Sequence, residues 1–408
     1  MMRTCSFAFL LLVLLSSPAL AFEAVGTIQK IDHDKSVLHV NANGRDRVVP
    51  IAKDVKVLDT EGKALEAGLK AEQLKEGATV TLTIDRVGNV ATITTIRLGG
   101  QPARPPRENT PQAGKETVGF KPLTEMSATD KYKGEDGGLY GSGRNDPPAD
   151  HLAAAKKATA QITPLDAAGK PSAAGTIALV SISMSNATQE FSTFKQIADR
   201  DERKSSKLTI VDCAQGGQAM AEWVSPDARP WQEAMRRLEA AKVDPKQVQI
   251  VWIKLANKSP RGDLAEHGEK LKKDTLAVIH NAKEKFPNLR IAYLGSRIYA
   301  GFAGGSLNPE PYAYEGAFVA RWLIQDQMKG AESLKYEGDD AKAPVLLWGP
   351  YFWGDGSTPR KADELVWKRE DFAGDGVHPS TSGRQKVAAM LLKFFATDEL
   401  AKSWFAAK

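Results

Sequence analysis

Of the six histidines in the chain, one stands in a setting suited to proton transfer. His378 lies in the run Asp375-Gly376-Val377-His378-Pro379, bounded by glycine and proline and followed by a helical pattern. His33 and His39 fall in a β-rich stretch, His151 in an irregular one, and His267 and His280 in or beside a lysine-rich helix. Imidazole titrates near pH 6.5 in general, which suits a base working at neutral pH. Asp375 is three residues earlier, so one turn of chain can bring its carboxylate to Nδ1 of the ring, fixing the tautomer and stabilising the imidazolium. The hydroxyl such a base would activate belongs to Ser185. There an apolar run, Ile177 to Ile182, ends in Ser183-Met184-Ser185-Asn186, and a helical segment follows from Thr188 to Ala198. A strand that turns sharply into a helix presents its last side chain at the carboxyl edge of a sheet, with backbone N–H groups of the helix beside it. A serine there can be a nucleophile. The plainer alternatives are a Ser/Asn helix cap at Ser185, and a turn followed by a cap at Ser380 for the histidine run.

The elements that must position these residues alternate from residue 174 onward. Strand candidates are 176–182, 208–211, 248–253, 289–294 and 344–348, each close to continuously apolar, as in strands covered on both faces. Helical patterns lie at about 187–200, 226–242, 266–285, 313–329 and 381–395. The series predicts an α/β domain with a five-stranded, mostly parallel sheet in three layers. Two further strand ends carry polar blocks: Asp212-Cys213-Ala214-Gln215-Gly216-Gly217, and Leu255-Ala256-Asn257-Lys258.

The order of these Ser, Gly, Asn and His blocks resembles the SGNH (GDSL-like) hydrolase superfamily over about residues 174 to 396. The resemblance implies that Ser185 is the nucleophile, with Asp375 and His378 completing a triad. It implies an oxyanion site made of the Ser185 N–H, the Gly217 N–H (Gly216 is the close alternative) and the Asn257 side-chain amide. Loss of one such donor typically costs ~10²–10³ in kcat. The first block reads Ser183-Met184-Ser185 where the family has Gly-Asp-Ser, and the third reads Leu255-Ala256-Asn257-Lys258 where it has Gly-x-Asn-Asp. These departures fit a divergent secreted branch marked by Ser185 to Phe191, Ala214 to Gly217 and Asn308 to Tyr312.

The loops at 296–314 and 348–357 should flank the same sheet edge. Arg297, Tyr299, Glu310, Tyr351 and Trp353 are the substrate-side candidates, suited to stacking on a sugar ring or holding an acyl group; ordinary packing is the alternative. Cys213 has apolar flanks and is expected to be an inert buried thiol. Asn186-Ala187-Thr188 and Asn257-Lys258-Ser259 match the glycosylation pattern, but both fall at the expected site and are read as coincidence.

Residues 22 to 99 form an island without tryptophan and rich in β-branched residues. Turns at Asn43-Gly44 and Gly88-Asn89 divide it into five or six strands, which predicts a small antiparallel barrel or sandwich of OB-like or SH3-like shape. Residues 100–119 read as a proline-rich linker, and 120–173 as an irregular segment, with one helix near 149–161, that wraps onto the following domain. Residues 1–21 read as a signal peptide: Arg3, the apolar run Phe7 to Leu15, and Ala19-Leu20-Ala21. No stretch reaches the ~18 apolar residues of a membrane span, so an exported product, periplasmic or extracellular, without stable membrane insertion is expected. The net charge of +5 is scattered rather than striped, which gives no support to a nucleic-acid partner. No further His/Asp/Cys cluster has ligand spacing, so neither a metal nor another cofactor is implied. The expected activity is hydrolysis of a small acyl ester or an acylated polysaccharide, with an O-acetyl carbohydrate as the family-level substrate. The alternative is a non-catalytic glycan-binding protein that keeps the fold.

Overall fold

The computed structural model of the chain describes residues 22–42, 45–87, 90–99 and 114–407. The expected leader, both expected turn dipeptides of the β-rich stretch and residues 100–113 of the expected linker lie outside them. The described residues fall into two compact units, one within Met1–Asn109 and one within Thr110–Lys408.

The first unit is a closed barrel of β1 (Phe22–Asp32), β2 (Val37–Ala42), β3 (Arg45–Leu58), β4 (Thr79–Val87) and β5 (Val90–Leu98), in the order β1-β2-β3-β5-β4. Alternate residues Leu38 and Val40, and Val80, Leu82 and Ile84, point into its core, the period-two pattern of a half-buried strand. The expectation of an all-antiparallel module is corrected at one seam, because β3 pairs with β5 in parallel. β3 is long enough to change partner along its length. Residues Arg45 to Pro50 pair with β2, then Ile51 and, after a register shift, Lys56 to Leu58 pair with β5. Pro50, which has no N–H to give a ladder, sits at that changeover.

The second unit is organised around β6 (Ile177–Ile182), β7 (Leu208–Asp212), β8 (Val248–Lys254), β9 (Ile291–Gly295) and β10 (Val345–Trp348), all parallel, in the order β10-β9-β8-β6-β7. Every residue of β6, β8, β9 and β10 is buried. The helices are α1 (Ala149–Ala160), α2 (Ser185–Ala198), α3 (Met220–Trp223), α4 (Arg229–Ala240), α5 (Leu264–Lys285), α6 (Tyr312–Met328), α7 (Thr381–Thr397) and α8 (Lys402–Phe405). α2 packs against α7, and α5 against α6. Phe191 of α2 stacks on Trp252 of β8 at 5.4 Å, and Phe194 meets Phe395 of α7 at 5.4 Å. None of the helices among the described residues is long and apolar enough to cross a membrane.

From β6 the chain passes to β7 on one side and returns to β8 on the other. In an open parallel sheet such a reversal leaves a crevice at the carboxyl ends of the strands. Ser185 follows β6 and Asn257 follows β8 there. Residues 114–148 run over the same unit. The N–H groups of Val118 and Gly119 donate to the Asp355 carboxylate (2.7 and 3.0 Å), and Arg321 of α6 donates to the Asp136 carbonyl (2.7 Å). Cys213, just past the edge strand β7, is a free and fully buried thiol, and that burial pushes its pKa well up.

Candidate active site

Ser185 is the first residue of α2, and the N-cap position before it is Met184, whose side chain makes no capping hydrogen bond. The first N–H groups of a helix have no intrahelical acceptor, so the start of α2 offers donors and the positive end of its dipole beside the Ser185 hydroxyl. The turn is fixed from below. Ser183 Oγ donates to the Lys254 carbonyl of β8, and the Gln215 N–H donates to the Ser183 carbonyl at 2.9 Å.

Ser185 Oγ lies 2.7 Å from His378 Nε2, and His378 Nδ1 lies 2.6 Å from Asp375 Oδ2. The other carboxylate oxygen, Oδ1, accepts the N–H groups of Val377 (2.9 Å) and His378 (3.0 Å). With Nδ1–H donating to Asp375, Nε2 is left as the acceptor for the serine hydroxyl. Burial raises the Asp375 pKa, but the hydrogen bonds from His378 and the two backbone N–H groups outweigh it, and the net shift is downward. The carboxylate therefore stays charged beside the ring. Gly376 adopts φ +68° and a Cβ there would meet the Phe302 carbonyl at 1.8 Å, so this turn requires glycine. Asn186 Nδ2 donates to the Val377 carbonyl at 2.8 Å and ties the histidine loop to α2.

Ser185, Gly217, Asn257 and His378 line one cavity of about 240 Å³. Met184, Ala219 and Ala256 form a small apolar cluster in its wall. Gly217 has φ +74° in a turn closed by the Gln218 N–H on the Gln215 carbonyl (3.2 Å); Gly216 is not in the lining. The Asn257 side chain is held at both ends: Oδ1 accepts the Ala221 N–H (2.9 Å), and Nδ2 donates to Asp274 Oδ2 (2.6 Å). An amide nitrogen carries two hydrogens, so one remains uncommitted. Asp212, at the end of β7, does not reach the cavity. It accepts the hydroxyls of Ser181 (2.5 Å) and Ser192 (2.6 Å), and burial raises its pKa.

Of the five substrate-side candidates, the lining of this cavity includes one. Arg297 lines the cavity. Tyr299 is fully buried, with its hydroxyl donating to the Lys115 carbonyl at 2.5 Å. Glu310 accepts the N–H groups of Ala300 (2.8 Å), Tyr314 (3.0 Å) and Trp353 Nε1 (2.8 Å), and burial lifts its pKa to about 7. Trp353 is fully buried, and the Tyr351 hydroxyl accepts the Leu123 N–H at 3.2 Å. These aromatics point into the body of the domain, where residues 114–148 cover them, so they form packing rather than a stacking surface.

Sequence reasoning missed Asp274, Asn186 and the ion pair of Lys254 with Glu190 (2.5 Å), both fully buried behind the Ser183 turn. Asp274 lies on a lysine-rich helix that reads as solvated, and only a spacing argument from Asn257 across two elements could have marked it. Burial lowers the Lys254 pKa to about 8, against the opposing pull of Glu190. Among the described residues no group of three or more His, Cys, Asp or Glu side chains has metal-binding geometry.

No protein-family model matches the chain, and no curated protein matches it. Similar solved structures include a candidate acylhydrolase of Bacteroides fragilis, 12% identical, covering 61% of this chain and 97% of that one with a TM-score of 0.31. The salicylyl-acyltransferase SsfX3 of a tetracycline biosynthetic pathway is 13% identical, with 56% of each chain covered and a TM-score of 0.30. Apo-CusF of Escherichia coli is 13% identical, covering 21% of this chain and 96% of that one with a TM-score of 0.17.

Proposed function

We propose that the chain is an exported serine esterase of SGNH type that hydrolyses a carboxylic ester, with an O-acetyl group on a carbohydrate as the substrate class. The observation that carries this reading is the relay of two hydrogen bonds, Ser185 to His378 at 2.7 Å and His378 to Asp375 at 2.6 Å, opening on a cavity. Ser185 Oγ attacks the acyl carbon while His378 Nε2 takes the hydroxyl proton. Asp375 holds the tautomer and balances the imidazolium. The Ser185 N–H, the Gly217 N–H and Asn257 Nδ2 receive the negative oxygen of the tetrahedral intermediate. Its collapse breaks the bond to the alcohol, which leaves with the proton from His378. Water, deprotonated by His378, then attacks the acyl-serine, and the free acid departs with the hydroxyl of Ser185 restored. The order of the Ser, Gly, Asn and His blocks along the chain supports the same assignment.

The test is covalent and kinetic. A fluorophosphonate probe is expected to label the peptide containing Ser185, and Ser185→Ala to lower p-nitrophenyl acetate turnover by at least ~10³-fold. Equal turnover in mutant and parent sinks the proposal. So does retention on an acylated polysaccharide with no turnover in either protein, which is the behaviour of a binding module.

A further inference from the structure

The wall of the cavity beside Ser185 is unbalanced in charge. Its lining contains two cations, Lys258 and Arg297, and no carboxylate. Lys258 is accounted for, since Nζ lies 2.7 Å from Glu222 and 3.0 Å from the Gly217 carbonyl. Arg297 is not. It is 3% exposed, yet its side-chain hydrogen bonding among the described residues is a single contact, Nη2 to the Val377 carbonyl at 3.4 Å, and Nε has no partner. None of the carboxylates in its neighbourhood hydrogen-bonds to it: Glu310 holds three N–H donors, Asp375 holds His378, and Glu190 pairs with Lys254 through Oε2 while its Oε1 has no hydrogen-bond partner. A guanidinium carries five N–H donors and does not deprotonate in proteins. Burying that charge without a partner is costly, and its fork matches a carboxylate with two parallel hydrogen bonds.

We infer that Arg297 is the anion-recognising residue of this cavity, and that the substrate is an ester carrying a carboxylate close to its scissile carbonyl. The inference rests on the esterase reading of Ser185. At about 240 Å³ the cavity falls below the roughly 300–1,000 Å³ of sites for drug-sized ligands. It fits a small acid group rather than a long acyl chain. The carboxylate can belong to the acyl group or to the alcohol, and the two are separable.

The experiment compares matched charged and neutral esters. On the acyl side these are 4-nitrophenyl hydrogen succinate and 4-nitrophenyl methyl succinate. On the alcohol side they are 3-acetoxybenzoate and its methyl ester. The wild-type chain is expected to favour the charged member of one pair by roughly 10- to 100-fold in kcat/KM, the worth of a charge-assisted hydrogen bond. Arg297→Gln is expected to erase that ratio, lowering the charged ester far more than the neutral one. No preference in either pair overturns the inference, and so does an equal loss on both members, which would reduce Arg297 to a prop for Val377. Calorimetric titration of the wild-type chain with succinate and with glucuronate keeps the question answerable if the variant fails to fold. Saturable binding of neither acid, together with no charge preference, overturns it. Absence of any ester turnover and of any Ser185 adduct is a separate result, which strikes the esterase reading; carboxylate binding then still decides the role of Arg297.

Discussion

Replacing Asp375 by asparagine tests the relay at its most orientation-sensitive joint. Asp375 Oδ1 accepts two backbone N–H groups, at 2.9 and 3.0 Å, and Oδ2 faces His378 Nδ1 at 2.6 Å. An asparagine carbonyl placed on the two N–H groups leaves its NH₂ against Nδ1. Turning the amide over would set NH₂ against both backbone donors, losing two hydrogen bonds worth about 0.5–1.5 kcal/mol each. The first orientation therefore wins, and the ring must accept at Nδ1 and carry its proton on Nε2. In that tautomer the nitrogen 2.7 Å from Ser185 Oγ is a donor, and the serine has no base. A wrong-tautomer substitution of this kind costs ~10⁴ in kcat in the serine protease triad, about 5 kcal/mol of barrier. Asp375→Ala is expected to lose less. It imposes no tautomer, and water can reach Nδ1 because the His378 side chain is 24% exposed. The assay is kcat for p-nitrophenyl acetate alongside the rate of fluorophosphonate labelling, with the far-UV spectrum as a fold control. A folded asparagine variant keeping more than a tenth of the parent rate, or outpacing the alanine variant, refutes the reasoning.

Asn257→Ala removes a proposed oxyanion donor and is expected to lower kcat by ~10²–10³ with little change in KM; a pure KM effect counts against that role. Glu310 contributes a pH dependence to stability. Its carboxyl titrates near 4.5 when unfolded and about 7 when folded. The folded state therefore binds more protons in this window, and stability is full below pH 4.5 and falls as pH rises through 7. Glu310→Gln is expected to remove that slope, so that urea denaturation of variant and parent diverges by about 2–4 kcal/mol between pH 4.5 and 7.5. Parallel stability profiles would show that the Glu310 carboxyl is not shifted upward in the folded state.

What could be read from the amino acids alone depended on how local its cause is. β6 and β8 were legible because a strand covered on both faces has no polar position, and Val248 to Ile253 offers only Gln249 as an interruption. The histidine loop was legible because Asp375, Gly376 and Pro379 constrain one another within five residues. The burial of the aromatic loops was not legible, for the opposite reason. Trp348 to Trp353 leaves β10 at the carboxyl edge, but whether such side chains face solvent depends on what covers them. Here the cover is residues 114–148, more than 200 positions earlier in the chain. Asp274 was invisible because its partner Asn257 sits on another element. The parallel β3–β5 seam escaped notice because a strand's choice of neighbour is not written in its alternation.

The sealed position of Cys213 makes the thiol a gauge of how often the edge of the sheet breathes. It is completely enclosed behind β7, the outermost strand, with Sγ near the Ala234 carbonyl of α4. A chromogenic disulfide reagent can reach it only when that margin parts from the helix. Under fast reclosing, the rate of colour release divided by that of a free thiol equals the fraction of time the margin is open. The sulfur thus reports native-state opening in undisturbed buffer, in the same cuvette where ester turnover is followed.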